Sequence, residues 1–224
     1  MHRFDLETYA RKMQQTARTL LQDSPPDQSK GDVARAIQEL AEIALAKHQI
    51  NPEAIACRAG CGHCCIVNVA VLPPEIDAIV DDLDRKITPN EKRQLSLRAE
   101  KLFHQVHGLN DEERILLRRS CLFLDEAGKC EIYPVRPLLC RALTSTDPDR
   151  CREALAMVAL GEEIRILSNT FQQELFTRAF TELGDSLEWL GMDGRSRPLT
   201  GAIRERIAAL GWSGTGRANQ IAPI

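Results

Sequence analysis

Most apolar positions in this chain recur at the three- and four-residue spacing of helices instead of alternating as they do in strands. Asp32 is the predicted N-cap of the second helix, and Thr88 begins the fourth before a proline. The alternating run 66–72 predicts one short strand. The sequence therefore predicts a mainly α protein with six helical stretches, which are residues 4–22, 32–48, 75–84, 88–107, 153–183 and 199–210.

The helical stretches suggest three parts of the chain. Residues 1–50 are predicted to form an N-terminal helical hairpin, residues 51–155 a domain built around clustered cysteines, and residues 156–224 C-terminal helices and a tail that form one compact unit with this domain. The helical stretch 153–183 is predicted to roof the cysteine cluster. A loose tail is predicted over 211–216 because glycine and serine dominate there. The apolar faces of the N-terminal hairpin predict either packing within the chain or an interface with a second copy or another protein.

Composition excludes several classes of protein. Aromatic residues make up only 4% of the 224 residues, which argues against a β-sandwich, and a net charge of −3 predicts neither a nucleic-acid partner nor attraction to an anionic membrane. The first residues lack the apolar core of a secretory signal, and no stretch reaches the roughly 18 apolar residues of a membrane span. We therefore expect a cytoplasmic protein, in which disulfides are disfavoured.

Four of the eight cysteines, Cys57, Cys61, Cys64 and Cys65, fall within nine residues. They could be metal ligands, disulfide partners or small core residues on one helix face. Two glycines within this run disfavour a helix and indicate a tight backbone wrap, and the Cys-x3-Cys-x2-Cys spacing is typical of zinc and iron–sulfur ligation. We interpret the four thiols as half of a metal site.

The other four cysteines follow at turns and helix starts. Residues 121–133 predict a short β-hairpin with its turn at 125–128, which pairs Phe123 with Cys130. Cys121 then becomes a diagonal neighbour of Cys130, about 7 Å away at Cα, whereas a three-residue loop would put the two on opposite faces. Cys140 and Cys151 are each predicted near the start of a helix, where a thiolate is favoured.

Arg136 and Arg141 are candidates for binding a cofactor or balancing thiolate charge, because prolines stiffen the backbone around them. Arg150 and Arg152 are interpreted as surface residues. His104 and His107 could in principle join a metal, but their place late in a helix favours an interaction with the helix dipole.

The cysteine pattern resembles the YkgJ family of cysteine-cluster proteins, and the resemblance spans about residues 55–155. That family is described as a zinc- or iron-chelating domain and is similar to the cysteine domain of flagellin lysine N-methylase. The resemblance implies a metal-chelating module with all eight cysteines as ligands, and it rests on these residues: Cys57-x3-Cys61-x2-Cys64-Cys65, Cys121, Gly128-x-Cys130-x-Ile132-Tyr133-x2-Arg136-Pro137-x2-Cys140-Arg141 and Ser145-x-Asp147-x3-Cys151.

We therefore predict a protein that binds an iron–sulfur cluster or zinc through eight cysteines, with a slight preference for iron–sulfur because the cysteines are dense and glycine N–H groups lie near them. Eight ligands allow two sites. The alternative is a cluster-dependent enzyme, such as a protein lysine N-methylase or a radical S-adenosylmethionine enzyme. The spacing Cys57-x3-Cys61-x2-Cys64 coincides with that of radical S-adenosylmethionine enzymes. The chain lacks the strand–helix alternation of the barrels that such enzymes resemble.

Overall fold

The computed structural model describes residues 4–25, 28–49 and 54–212. Within these ranges the chain forms nine α-helices and one two-stranded antiparallel sheet, so the predicted mainly α class is confirmed. The helices are α1 (Leu6–Asp23), α2 (Gly31–His48), α3 (Pro73–Lys86), α4 (Pro89–Val106), α5 (Asp111–Leu117), α6 (Leu138–Ala142), α7 (Pro148–Met157), α8 (Thr170–Trp189) and α9 (Leu199–Ala209). The strands are β1 (Ala70–Val71) and β2 (Arg197–Pro198). None of the helices in the described ranges has the length and apolar character needed to cross a membrane.

Local sequence signals place most helix starts. Thr88 caps α4 in a reciprocal box with Glu91, as its position before a proline predicts. The predicted cap at Asp32 is wrong, since Lys30 is the N-cap of α2 and makes no side-chain cap. The start of α2 is held instead from α3, because the Lys30 N–H donates to Asp77 Oδ2 at 2.9 Å. A contact between distant segments has replaced the local cap.

Buried apolar side chains form two clusters. The first joins α3, α4 and α9 with the segment 122–135, and the second joins α1, α2, α6 and α8. The apolar faces of α1 and α2 are thus used inside the chain, and a second copy or partner at the N-terminal hairpin stays a prediction. Trp212, of which 8% is exposed, belongs to the first cluster, whereas residues 213–216 of the predicted tail lie outside the described residues.

Two sequence expectations need correction. The predicted strand 66–72 shrinks to β1, which pairs with β2 in the register Ala70 with Pro198 and Val71 with Arg197. The predicted helix over 153–183 is interrupted, because Gly161 ends a 3-10 turn in the left-handed region at φ 71°. Residues 162–169 then run without helix, and Thr146 N donates to Leu167 O at 3.0 Å, which holds this segment beside the second cysteine group.

Candidate metal centre

The first cysteine group lies on a wrapped loop and not on a helix. Gly60 takes φ 92°, which only glycine adopts without strain, and the chain then enters a 3-10 turn over His63–Ile66. Backbone bonds tighten the wrap, with Cys61 N donating to Arg58 O at 2.9 Å and Cys65 N to Gly62 O at 3.0 Å. The expected effect of the glycines is therefore confirmed.

The hairpin that carries Cys121 and Cys130 differs from the prediction by one residue. Its single β-bridge pairs Leu124 with Cys130, so the predicted pairing of Phe123 with Cys130 is wrong. The cause is a longer loop, since Asp125 N donates to Lys129 O at 2.9 Å and thereby closes a five-residue connection. This register alone would put Cys121 and Cys130 on opposite faces. A turn closed by Leu124 N and Cys121 O at 3.2 Å redirects Cys121, and both cysteines line the same cavity.

The two cysteine groups meet through close backbone contacts. Cys121 N donates to Cys65 O at 2.6 Å, across 56 residues of sequence. The wrapped loop also touches the hairpin turn, because a Cβ placed on Gly128 would lie 2.8 Å from Gly60 O. A glycine is therefore needed where these two loops approach each other.

Six of the eight cysteines line one cavity of about 80 Å³, and they are Cys61, Cys64, Cys65, Cys121, Cys130 and Cys140. Pro198, Leu199 and Thr200 at the start of α9 contribute part of its wall. The prediction that residues 153–183 roof the cluster is wrong at this cavity, because none of them lines it. The start of α9 lines it instead, while α8 packs against α6, the helix that carries Cys140. The cavity is larger than the roughly 30 Å³ of one water molecule and far smaller than the roughly 300–1,000 Å³ of pockets for organic ligands.

Cys57 and Cys151 lie beside this cavity and do not line it. The Sγ of Cys57 accepts a hydrogen bond from Ser145 N at 3.2 Å. Burial raises the pKa of Cys57, and the neighbouring thiols of Cys61, Cys64 and Cys151 raise it further. Cys151 lies on α7, which packs against the turn that carries Cys64 and Cys65. Cys57 and Cys151 therefore adjoin the six cysteines of the cavity.

The pKa values of the consecutive residues Cys64 and Cys65 are shifted in opposite directions. A hydrogen bond from Cys65, helped by the charge of Arg136, lowers the pKa of Cys64 to about 6, while the same bond and burial raise the pKa of Cys65. Burial also raises the pKa of Cys121 to about 11 and raises the pKa of Cys130 and of Cys140. Cys65, Cys121, Cys130 and Cys140 thus keep their protons at neutral pH until a metal displaces them.

The predicted arginines have different surroundings. The guanidinium of Arg141 donates to Glu42 and to the carbonyls of Arg136, Tyr133 and Pro134, so it fastens the loop before Cys140. Arg136 lines the cavity, lies over the Tyr133 ring at 5.1 Å and opposes the rise that burial causes in the pKa of Cys130. A role in cofactor binding stays a prediction for both residues.

Sequence reasoning missed a third arginine, Arg114, which also lines the cavity. It lies on α5, and nothing in the local sequence marks it, because its contacts are to segments about 46 residues away. The candidate histidines are elsewhere: His104 Nε2 pairs with Glu100 at 3.0 Å, and His107 stacks on Phe103.

The donor set suits a soft metal. All eight cysteines lie in the described ranges and are free thiols, and thiolates prefer zinc and iron–sulfur clusters. In the described part of the chain, no three cysteine, histidine or carboxylate side chains already converge as an ion-binding set. Metal binding therefore needs these thiols to move toward a common centre.

A helical domain with clustered free thiols around a small cavity defines a cysteine-rich metal-binding class. Residues 56–163, which include every cysteine, match the family described as "CxxCxxCC: Putative zinc- or iron-chelating domain". The chain thus carries a domain of the CxxCxxCC family. No curated protein and no solved structure matches the chain.

Proposed function

We propose that this protein binds metal through its eight cysteines in two neighbouring groups. The inner group comprises Cys65, Cys121, Cys130 and Cys140, and the outer group comprises Cys57, Cys61, Cys64 and Cys151. Cys64 and Cys65 are consecutive, and their hydrogen-bonded thiols mark where the groups meet. The observation that carries the proposal is the convergence of six cysteines from four separate segments on one cavity.

The division follows from which thiols influence each other. Cys57 responds to the charges of Cys61, Cys64 and Cys151, whereas Cys65 responds to Cys64, Cys121 and Cys130. The pKa of Cys140 is raised more by the neighbouring Cys121 than by Cys64. Cys64 also acts on Cys121 and Cys140, so it lies between the two groups, while Cys57 and Cys130 have no thiol neighbour in common among these.

We propose an iron–sulfur cluster as the inner occupant, with zinc as the alternative. The cavity of about 80 Å³ leaves room for the thiols to close on a metal centre, and the dense cysteines with Gly60 beside them in the lining support a sulfide-bearing cluster. The same volume is small for S-adenosylmethionine, so the cavity itself gives no support to the alternative of a methylase or a radical enzyme. Free thiols suit the reducing cytoplasm that the sequence predicts.

Anaerobic purification tests the choice of metal. The protein should be coloured, with an absorption band that bleaches on reduction, and should contain iron and acid-labile sulfide. A colourless protein with stoichiometric zinc and no sulfide would reject the iron–sulfur assignment and keep metal binding. A protein that takes up neither metal would contradict the proposed function.

Substitution of single ligands tests the site itself. Cys61→Ser and Cys130→Ser should each lose metal and melt at a lower temperature, because metal binding contributes folding free energy. The double variant His104→Ala/His107→Ala removes two potential ligands outside the cavity and serves as the control. A cysteine variant that keeps its metal content and melting temperature removes that residue from the ligand set.

A further inference from the structure

Arg114 is a buried cation without a carboxylate partner. Only 4% of this residue is exposed, and in the described part of the chain no carboxylate oxygen lies within 4 Å of its guanidinium. Asp111, one turn earlier on α5, instead accepts a hydrogen bond from Asn68 N at 3.2 Å. Buried charges in proteins are normally paired, so the counter-charge of Arg114 must lie elsewhere.

The contacts of Arg114 show which way the unpaired charge faces. Its Nε donates to Ile66 O at 3.2 Å and its Nη1 to Asn68 Oδ1 at 3.1 Å, both neutral acceptors on the segment that follows the first cysteine group. The side chain also lines the cysteine cavity. Cys121, one of the inner cysteines, lines the same cavity.

We infer that Arg114 is a positioning residue whose positive charge balances the thiolates of the inner metal group, an inference that rests on the proposed function. Four thiolates around a divalent ion leave two negative charges, and a [4Fe–4S] cluster with four thiolates has the same net charge in its oxidised form. Arg58, Arg114 and Arg136 all line this cavity and carry positive charge, but Arg58 is exposed to solvent, whereas Arg114 is buried. The buried charge of Arg114 then offsets part of the negative charge of the loaded inner group, which lowers the cost of burying both.

A purely structural role for Arg114 makes a different prediction. If the guanidinium only held residues 66–68 against α5, loss of its hydrogen bond to Asn68 would reproduce much of the effect of losing the arginine. Lysine at this position would then be nearly as harmful as methionine, because it lacks the planar fork that reaches both acceptors. A charge-balancing role predicts that lysine restores most of the affinity for metal.

The test uses the full chain and Zn²⁺ as the probe, in competition with a chromophoric chelator under anaerobic conditions. Arg114→Met should weaken the inner Zn²⁺ site about 10- to 100-fold, the range seen when groups that support metal ligands are removed. Arg114→Lys and Asn68→Ala should each stay within about threefold of the wild type. Arg178→Met is the matched control, because it removes a half-buried arginine on α8 that pairs with Glu7 and Glu182.

The outcomes separate the two claims. If the wild type binds Zn²⁺ and Arg114→Met binds it equally well, or Asn68→Ala loses as much affinity as Arg114→Met, the inference fails and the proposed function stands. If the wild type binds neither zinc nor iron, both fail. Should Arg114→Met not fold by circular dichroism, Arg114→Lys decides: affinity near the wild type supports charge balance, and a tenfold or greater loss overturns it.

Discussion

Glu75 is a fully buried carboxyl group that joins two helices near the inner cysteines. None of this residue is exposed. Its Oε2 accepts from Leu72 N at 3.0 Å and its Oε1 from Leu138 N at 2.8 Å, so one side chain caps the starts of α3 and α6 together. The variant Glu75→Gln keeps the shape but retains only one acceptor oxygen.

The pKa of Glu75 sets the size of the effect. Burial raises this pKa from the usual 4.5 to about 7, despite the two N–H donors and the charge of Arg141. Because the folded state holds the proton more tightly, this carboxyl favours folding most below pH 4.5, and its contribution falls as pH rises through 7. At about 1.4 kcal/mol for each whole step in pKa, the loss is roughly 3 kcal/mol between pH 4.5 and 8.

Glutamine does not titrate, so it lacks this pH dependence. At pH 5 the wild type should be more stable than Glu75→Gln by about 1–3 kcal/mol, the cost of one unsatisfied buried donor. By pH 8 this advantage should shrink by roughly 3 kcal/mol and vanish or reverse. Because all other groups are common to both proteins, their contributions cancel in the difference.

Urea unfolding of both proteins at pH 5, 6, 7 and 8, under anaerobic conditions and at equal metal content, measures the difference directly. Glu75→Asp is a useful companion, because it keeps the charge but is too short to reach both helix starts. A stability difference that stays constant within about 0.5 kcal/mol across this pH range would show that Glu75 does not titrate there, and the reasoning from its burial would be refuted.

Three further predictions concern the cysteine loops. Gly128→Ala should lower the free energy of unfolding by about 2–3 kcal/mol, because φ is 74° and the new Cβ would meet Gly60 O. Gly161→Ala is the control: φ is a similar 71°, but the space around it is open, so the loss should be only about 1 kcal/mol. Equal losses in chemical unfolding would disprove the close contact. Zinc added to the reduced, metal-free protein at pH 7 should release about four protons from the inner group, and the affinity for zinc should rise with pH. The reason is that burial or hydrogen bonding raises the pKa of Cys65, Cys121, Cys130 and Cys140. A pH-stat titration that finds fewer than about two protons released per zinc would contradict this. Cys57→Ser should lose the metal of the outer group and Cys140→Ser that of the inner group by elemental analysis, while loss of all metal in both would indicate a single centre.

The helices could be predicted because their signals are local. The Thr88 box and the apolar stripe of α4 lie within a few residues of each other, and the structure has them as expected. The site depends on contacts between distant segments, which a single sequence does not specify. One extra residue in the hairpin loop changed the partner of Cys130, and a turn at Cys121 compensated for it. Arg114 reaches the cavity only because α5 folds back onto residues 66–68, so no spacing in the sequence could reveal it.

The inner cysteines lie where the two apolar clusters meet. Cys121 and Cys130 pack against the first cluster, and Cys140 lies on α6 between Leu138 and Ala142 of the second. Glu75 also joins the two clusters, because it projects from α3 of the first cluster to the start of α6 in the second. A metal bound by these thiols would therefore act as a cross-link between two cores that otherwise meet chiefly where α2 packs on α3. Such a link restricts the unfolded chain over the long loops that it closes, so the stabilising effect of the metal reaches well beyond the cavity.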